Sequence, residues 1–195
     1  ADDPNMIASF KNGLDIHQST AALVFDVDYE NVTKEQRYQA KTVNFGITYG
    51  QSAFALADQL QISRPEAKHI IDTYYLNFPT IRNFIDSTVQ FAFQNGYVET
   101  AFGRRRYIPE LNSSNKMLQN SAQRMAVNTR VQGTAADIIK MAMIEIQKQL
   151  YENGYKSKMI IQVHDELVFD VRDDEKTELE SLVLKSMESV VDFSV

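Results

Sequence analysis

Arg37, Lys41, Phe45 and Tyr49 recur at every fourth position in the run from Thr33 to Gly50. On a helix each such step turns by roughly 400°, so successive side chains differ by about 40° and all four share one side. That side presents two cations, then two aromatic rings. A nucleoside triphosphate would suit the order: Arg37 forks across terminal phosphate oxygens, Lys41 places a point charge near a departing pyrophosphate, and a ring packs on sugar or base. The plainer reading is a surface helix with a basic edge and a core-facing aromatic edge. A second candidate is His164-Asp165-Glu166, between two β-rich runs. A tight hairpin aims a carboxylate rigidly, as phosphoryl transfer by two divalent cations about 4 Å apart requires. Asp is also simply a common turn residue. Arg124, Asn128 and Gln132 are again spaced by four. They form either a face for reading hydrogen-bond acceptors or a solvated polar stripe.

The elements that must position these residues are marked by local signals. Thr33 and Gln36 make a capping box for a helix that runs to about Tyr49 and stops at Gly50. Asp15 is an N-cap for a short helix to Val24, and Ser63 with Glu66 opens another. Pro79 restarts the chain after Phe78, and Gly96 ends that helix. The period then changes. Tyr97 to Thr100 and Arg106 to Ile108 flank Gly103 and read as a hairpin, after which apolar residues recur at helical spacing from Lys116 to Leu150. Lys158 to Val163 and Glu166 to Val171 form a second hairpin with His164-Asp165 at its tip, and an amphipathic helix is expected from Asp173 to Val191. The fold class is therefore α+β, mainly helical with a small antiparallel sheet.

Composition constrains the partners. The 195 residues are 44% hydrophobic and 24% charged, with no run of eighteen apolar residues, so no membrane span is expected. The absence of cysteine excludes disulfides and thiolate metal sites and fits a cytoplasmic location. No repeat or Pro/Gly linker marks a flexible two-domain division. A net charge of -6 argues mildly against nucleic acid, yet Arg104 to Lys148 holds eight bases against three acids, which leaves a basic stretch for a DNA-facing surface.

Three longer strings carry a resemblance. Arg37-Tyr38-Gln39-Ala40-Lys41-Thr42-Val43-Asn44-Phe45-Gly46-Ile47-Thr48-Tyr49-Gly50 resembles the fingers-helix signature of family A DNA polymerases, and Met159 to Phe169 resembles the distal palm motif of the same family. Gln123 to Asp137 is similar to the family segment that touches primer-template DNA. The resemblance implies mostly helical fingers and a small palm sheet without a thumb: residues 1–32 as the fingers/palm junction, 33–96 as fingers and 97–195 as distal palm. It implies template-directed transfer of dNMP to a primer 3′-hydroxyl, with Mg²⁺, dNTP and primer-template DNA as partners. By this resemblance His17, Arg37, Lys41, Phe45 and Tyr49 bind nucleotide, and Gly50 is the pivot of helix opening. Arg124, Asn128, Gln132 and His164 meet DNA, Asp165 is a metal ligand and Glu166 an auxiliary catalytic carboxylate. The Gly103-Arg104-Arg105-Arg106 turn also matches, its three Arg either meeting template phosphates or remaining solvated. Gln123 stands where Glu is frequent, and Thr129-Arg130 where a Pro is frequent.

The family draws its other metal-binding Asp from an upstream Asp-Tyr-Ser-Gln-Ile-Glu pattern, which does not occur in this sequence. The expectation is that these residues alone bind dNTP and DNA weakly, polymerise negligibly, and cover exposed apolar surface through a homodimer contact or the missing palm and thumb. A naturally short nucleotide- or DNA-binding module without catalysis is the alternative.

Overall fold

The computed structural model describes residues 1–193. Eight α-helices and four strands are described: α1 (Pro4–Lys11), α2 (Ile16–Phe25), α3 (Lys34–Thr48), α4 (Ala53–Leu60), α5 (Arg64–Asn77), α6 (Pro79–Asn95), β1 (Tyr97–Glu99), β2 (Arg105–Tyr107), α7 (Lys116–Glu152), β3 (Lys158–Val163), β4 (Glu166–Asp170) and α8 (Lys176–Ser189). Short 3₁₀ turns lie at Tyr29–Asn31 and Pro109–Asn112. The α+β expectation holds, with two separate two-stranded antiparallel sheets. The last two residues of the expected palm, Ser194 and Val195, lie outside the described residues. Among the described residues no helix is long and apolar enough to cross a membrane.

The chain divides into two compact units: Ala1–Glu99 with Arg105–Arg130, and Thr100–Arg104 with Val131–Phe193. In the first, Val43 and Ile47 of α3 pack with Leu56, Tyr74, Phe78 and Ile81 from α4, α5 and the α5–α6 joint. Around the first hairpin, Val98 and Ile108 pack with Ala92, Leu111, Ala122 and Ala126. The caps are where local sequence placed them. Thr33 and Ser63 complete capping boxes, and Asp15 accepts from the His17 and Gln18 amides. Such a cap contributes about 1 kcal/mol. One tie is long-range: buried Asp3 caps α1 with Oδ1, while its Oδ2 accepts from the Thr80 hydroxyl at 2.7 Å.

In the second unit, Ile146 and Leu150 of α7 pack with Leu179 of α8, and Leu167 and Phe169 of β4 pack against them. The β3–β4 register pairs Val163 with Glu166, so His164 and Asp165 form a two-residue tip. A register shift between Met159 and Ile161 turns Ile161 and Val163 to the face shared with Val168. These three are 53%, 46% and 41% exposed, so the sheet has one packed face and one apolar face without cover in its unit.

The last helix of that unit, α8, is shorter than the sequence suggests. It starts at Lys176, not Asp173, because the residues before it are already engaged. The Glu175 carboxylate accepts from the Ser157 amide and hydroxyl and from the Lys156 amide, and Asp174 pairs with Arg172. The long run after residue 116 is one unbroken helix of 37 residues.

Candidate functional site

The α3 stripe is built as its period dictates. Ala40, Val43, Asn44 and Ile47 turn inward, which leaves Lys41, Phe45 and Tyr49 on an accessible side. The Phe45 and Tyr49 rings stack 6.2 Å apart and only 14° from parallel, and the Lys41 ammonium lies 6.0 Å from the Phe45 centroid. These three line a groove of about 690 Å³ together with Gln51, Ser52 and Arg124. The helix ends in a Schellman arrangement: Gly50 N–H donates to Ile47 O, and Gln51 N–H to Gly46 O. Gly50 has φ +69°, and a Cβ built there would meet Arg124 Cγ at 3.0 Å. Both the backbone conformation and the close approach favour glycine.

Arg37, first of the stripe, is held to one side. Its Nε and Nη2 donate to Asp15 Oδ2 at 3.1 and 2.6 Å. Asp15 therefore has two tasks, capping α2 with Oδ1 and holding Arg37 with Oδ2. The guanidinium hydrogen bond is the largest influence keeping the Asp15 carboxyl below its usual range, helped by the α2 amides and opposed by partial burial.

His17, on the first turn of α2, lies beside the stripe with its ring 5.8 Å from Phe45. Its Nδ1 is 2.9 Å from the Asn44 amide nitrogen. Burial is the main cause holding the imidazole below its usual pKa. The charges of Arg37 and Lys41 act the same way, and Asp15 opposes them. In the first unit the structure thus brings together His17, Arg37, Lys41, Phe45, Tyr49, Gly50 and Arg124.

Asn44 and Thr20 were not singled out by sequence reasoning, although a signal existed. Asn44 sits among Ala40, Val43 and Ile47 on the inward face of an amphipathic helix, where an amide must find partners. The second role of Asp15 had no such local signal.

The other expected DNA contacts are placed as follows. Arg124 and Asn128 lie on the part of α7 in the first unit, Gln132 on the part in the second. The three turn arginines all have protein partners. Arg104 pairs with Asp137 at 2.6 Å, Arg105 pairs with Glu99 at 2.7 Å and stacks on Tyr97, and Arg106 donates to Thr129. Thr129-Arg130, where the family often has Pro, is also used: Arg130 donates to the Thr88 hydroxyl and lies over Phe84.

At the β3–β4 tip His164 adopts φ +53°, and the Gln162 side-chain amide donates to its carbonyl. Asp165 and Glu166 are exposed, and their carboxylates take part in no described hydrogen bond or ion pair. Among the described residues no three His, Cys, Asp or Glu converge to hold a metal ion. A Mg²⁺ demands near-octahedral oxygen coordination, so these two carboxylates fit only as part of a ligand set.

Comparisons with known proteins agree with one another. The family profile "DNA polymerase family A" matches residues 1–195. DNA polymerase I of Caldicellulosiruptor bescii is 47% identical over 195 residues, which is all of this chain and 23% of that protein. DNA polymerase I of Streptococcus pneumoniae strain R6 is 48% identical over 194 residues, 99% of this chain and 22% of that protein. The chain therefore spans less than a quarter of the length of these curated relatives. Among solved structures, the POL domain of Pol1 from M. smegmatis, in complex with DNA primer-template and dNTP, matches with a TM-score of 0.93 at 41% identity. That match covers 99% of this chain and 34% of the solved one.

Proposed function

The chain belongs to DNA polymerase family A, and from that premise we propose that it is the nucleotide-handling portion of a DNA-directed DNA polymerase. The observation that carries the proposal is the α3 stripe: Lys41, Phe45 and Tyr49 line one groove, with Arg37 and His17 beside it. Lys41 and Arg37 would meet triphosphate oxygens, Phe45 the sugar, and Tyr49 the templating position, with Gly50 as pivot. Binding the terminal phosphates would draw Arg37 from Asp15, exchanging a carboxylate partner for phosphate oxygens.

Residues 1–32, 33–96 and 97–195 are proposed as junction, fingers and distal palm. Arg124, Asn128, Gln132 and His164 are proposed to meet primer-template DNA. The first three could read minor-groove acceptors, which scarcely differ between base pairs. Asp165, with Glu166 beside it, would supply one part of a two-Mg²⁺ ligand set. The remaining carboxylate is not among these 195 residues, so we propose that they do not polymerise alone. The uncovered face of Ile161, Val163 and Val168 would be met by other residues of a complete polymerase module.

Calorimetric titration of dNTP tests the groove, and a primer-extension assay with Mg²⁺ tests the chemistry. Measurable dNTP binding that Lys41→Ala weakens on the order of tenfold, without extension, is the expected result. Binding unaffected by Lys41→Ala would remove the groove assignment, and extension by the chain alone would overturn the claim of dependence.

A further inference from the structure

Asn44 is 9% exposed, and its amide lies between two polar groups of α2. Its Nδ2 is 2.9 Å from His17 Nδ1, and its Oδ1 is 3.1 Å from the Thr20 hydroxyl oxygen. An amide NH₂ can only donate, so Nδ1 must accept and the neutral ring carries its one proton on Nε2. Among the described residues no protein group is hydrogen-bonded to Nε2. We propose that Asn44 is a positioning residue that fixes His17 as the Nε2–H tautomer and so presents a directed ring proton to an anionic ligand. The identity of that ligand as a triphosphate rests on the reading of the groove above.

The arrangement has one competitor, which makes it testable. If the amide turned over, Oδ1 would accept from an Nδ1–H and Nδ2 would donate to the Thr20 hydroxyl. The single Thr20 proton distinguishes the two, because that oxygen is also 2.8 Å from Ile16 O. When the proton goes to Asn44 Oδ1, the amide is held with its NH₂ toward His17. When it goes to Ile16 O, the hydroxyl becomes an acceptor and the turned-over amide is satisfied. An imidazolium, protonated at Nδ1, needs the turned-over form. Burial and the two cations Arg37 and Lys41 act against that charge, and only Asp15 acts for it. The environment thus favours the neutral ring, and within it the placement of Asn44 Nδ2 2.9 Å from Nδ1 selects the Nε2–H form, so that His17 contributes a hydrogen bond with direction in place of a positive charge.

Proton–nitrogen correlation spectra of the labelled chain report the tautomer directly, with His17 assigned by its disappearance in His17→Gln. The expected wild-type pattern is a pyrrole-type Nε2 and a pyridine-type Nδ1. A protonated Nδ1 in the neutral wild-type ring overturns the proposal before any variant is made. Thr20→Val, which keeps shape but removes the hydroxyl, should give a mixture of tautomers, and Thr20→Ser should restore the single form. Asn44→Leu should weaken inorganic tripolyphosphate binding on the order of tenfold. Undiminished affinity alongside a lost tautomer preference would sink the positioning role. A wild-type Nε2–H that ignores tripolyphosphate leaves the Asn44 assignment standing and removes the triphosphate reading instead.

Discussion

Around α2 and α3 almost every polar side chain of the candidate site is held by another. Asp15 caps one helix and grips Arg37 of the next, and Asn44 joins Thr20 to His17. At the β3–β4 tip the opposite holds: Asp165 and Glu166 stand exposed, aimed only by the paired backbone that carries them. The same kind of residue, charged and suited to phosphate chemistry, is thus arranged by side-chain networks in one region and by main-chain geometry in the other. Substitutions should divide accordingly. Changes around α2 and α3 should alter stability and binding together, whereas changes at the tip should leave the fold alone.

The sharpest test lies at the tip. In a polymerase containing these residues with the rest of its module, Asp165→Asn is expected to lower the extension rate on the order of 10³-fold, the scale for losing a group that stabilises transition-state charge. The melting temperature should not move. A large drop in melting temperature would break the comparison, because it would mean that the carboxylate has a structural partner. Next in size is Lys41→Ala, which leaves the Asp15–Arg37 and Asn44–His17 ties intact. Its expected effect is a rise in apparent Kd for dNTP on the order of tenfold.

Gly50 and Gly13 sharpen the picture on the network side. Both have positive φ, +69° and +65°, but an added Cβ meets Arg124 only at Gly50 and nothing within 4 Å at Gly13. Replacing either with Ala should cost about 1 kcal/mol of backbone strain. Gly50→Ala should cost more in urea unfolding, because Arg124 must also shift. Equal losses would mean that the Arg124 contact contributes nothing.

What was legible in the sequence follows the same division. The capping boxes at Thr33 and Ser63, the restart at Pro79, the stop at Gly96 and the hairpin tip at His164-Asp165 all depend on residues within a few positions of one another. They could be read directly. Helix α1 was missed although Asp3 and Pro4 mark its start locally; what no local pattern shows is the second tie of Asp3, to Thr80 77 residues away. Helix α4 was also missed: the turn at Gly50 hides a new start capped by Ser52. For the site, the period of α3 displayed the stripe but not the neighbours that restrain it. Asp15 and Asn44 act across helices, and only the inward position of Asn44 left a trace in the pattern. The basic turn at Arg104 to Arg106 was readable as basic but not its partners: folding sets Asp137 beside Arg104, Glu99 beside Arg105 and the Thr129 hydroxyl beside Arg106, while all three side chains stay exposed.

The smallest effects concern the two tasks of Asp15, and these can be separated. Asp15→Asn keeps a good N-cap but loses the charge that holds Arg37, while Asp15→Ala loses both. The cap should account for about 1 kcal/mol. The ion pair, partly open to solvent at 2.6 Å, should add less than the cap because water screens it. The pH dependence supplies a second handle. The folded-state pKa of Asp15 is depressed, so the unfolded chain takes up its proton first as pH falls below 3.8, and stability is lost until the folded carboxyl also titrates. His17 has the same sign in a higher window. Its folded pKa lies below 6.5, so the unfolded chain binds the proton first there too, and stability declines as pH drops below 6.5. Urea midpoints measured across both windows should therefore fall in two steps. His17→Gln should remove the upper step, and Asp15→Asn should shrink the lower one, to which the likewise depressed Glu66, Asp137, Asp174 and Glu175 also contribute. If a single substitution erased both, the carboxylate and the imidazole would have to be one coupled unit, and the network around α2 would be tighter than its separate hydrogen bonds indicate.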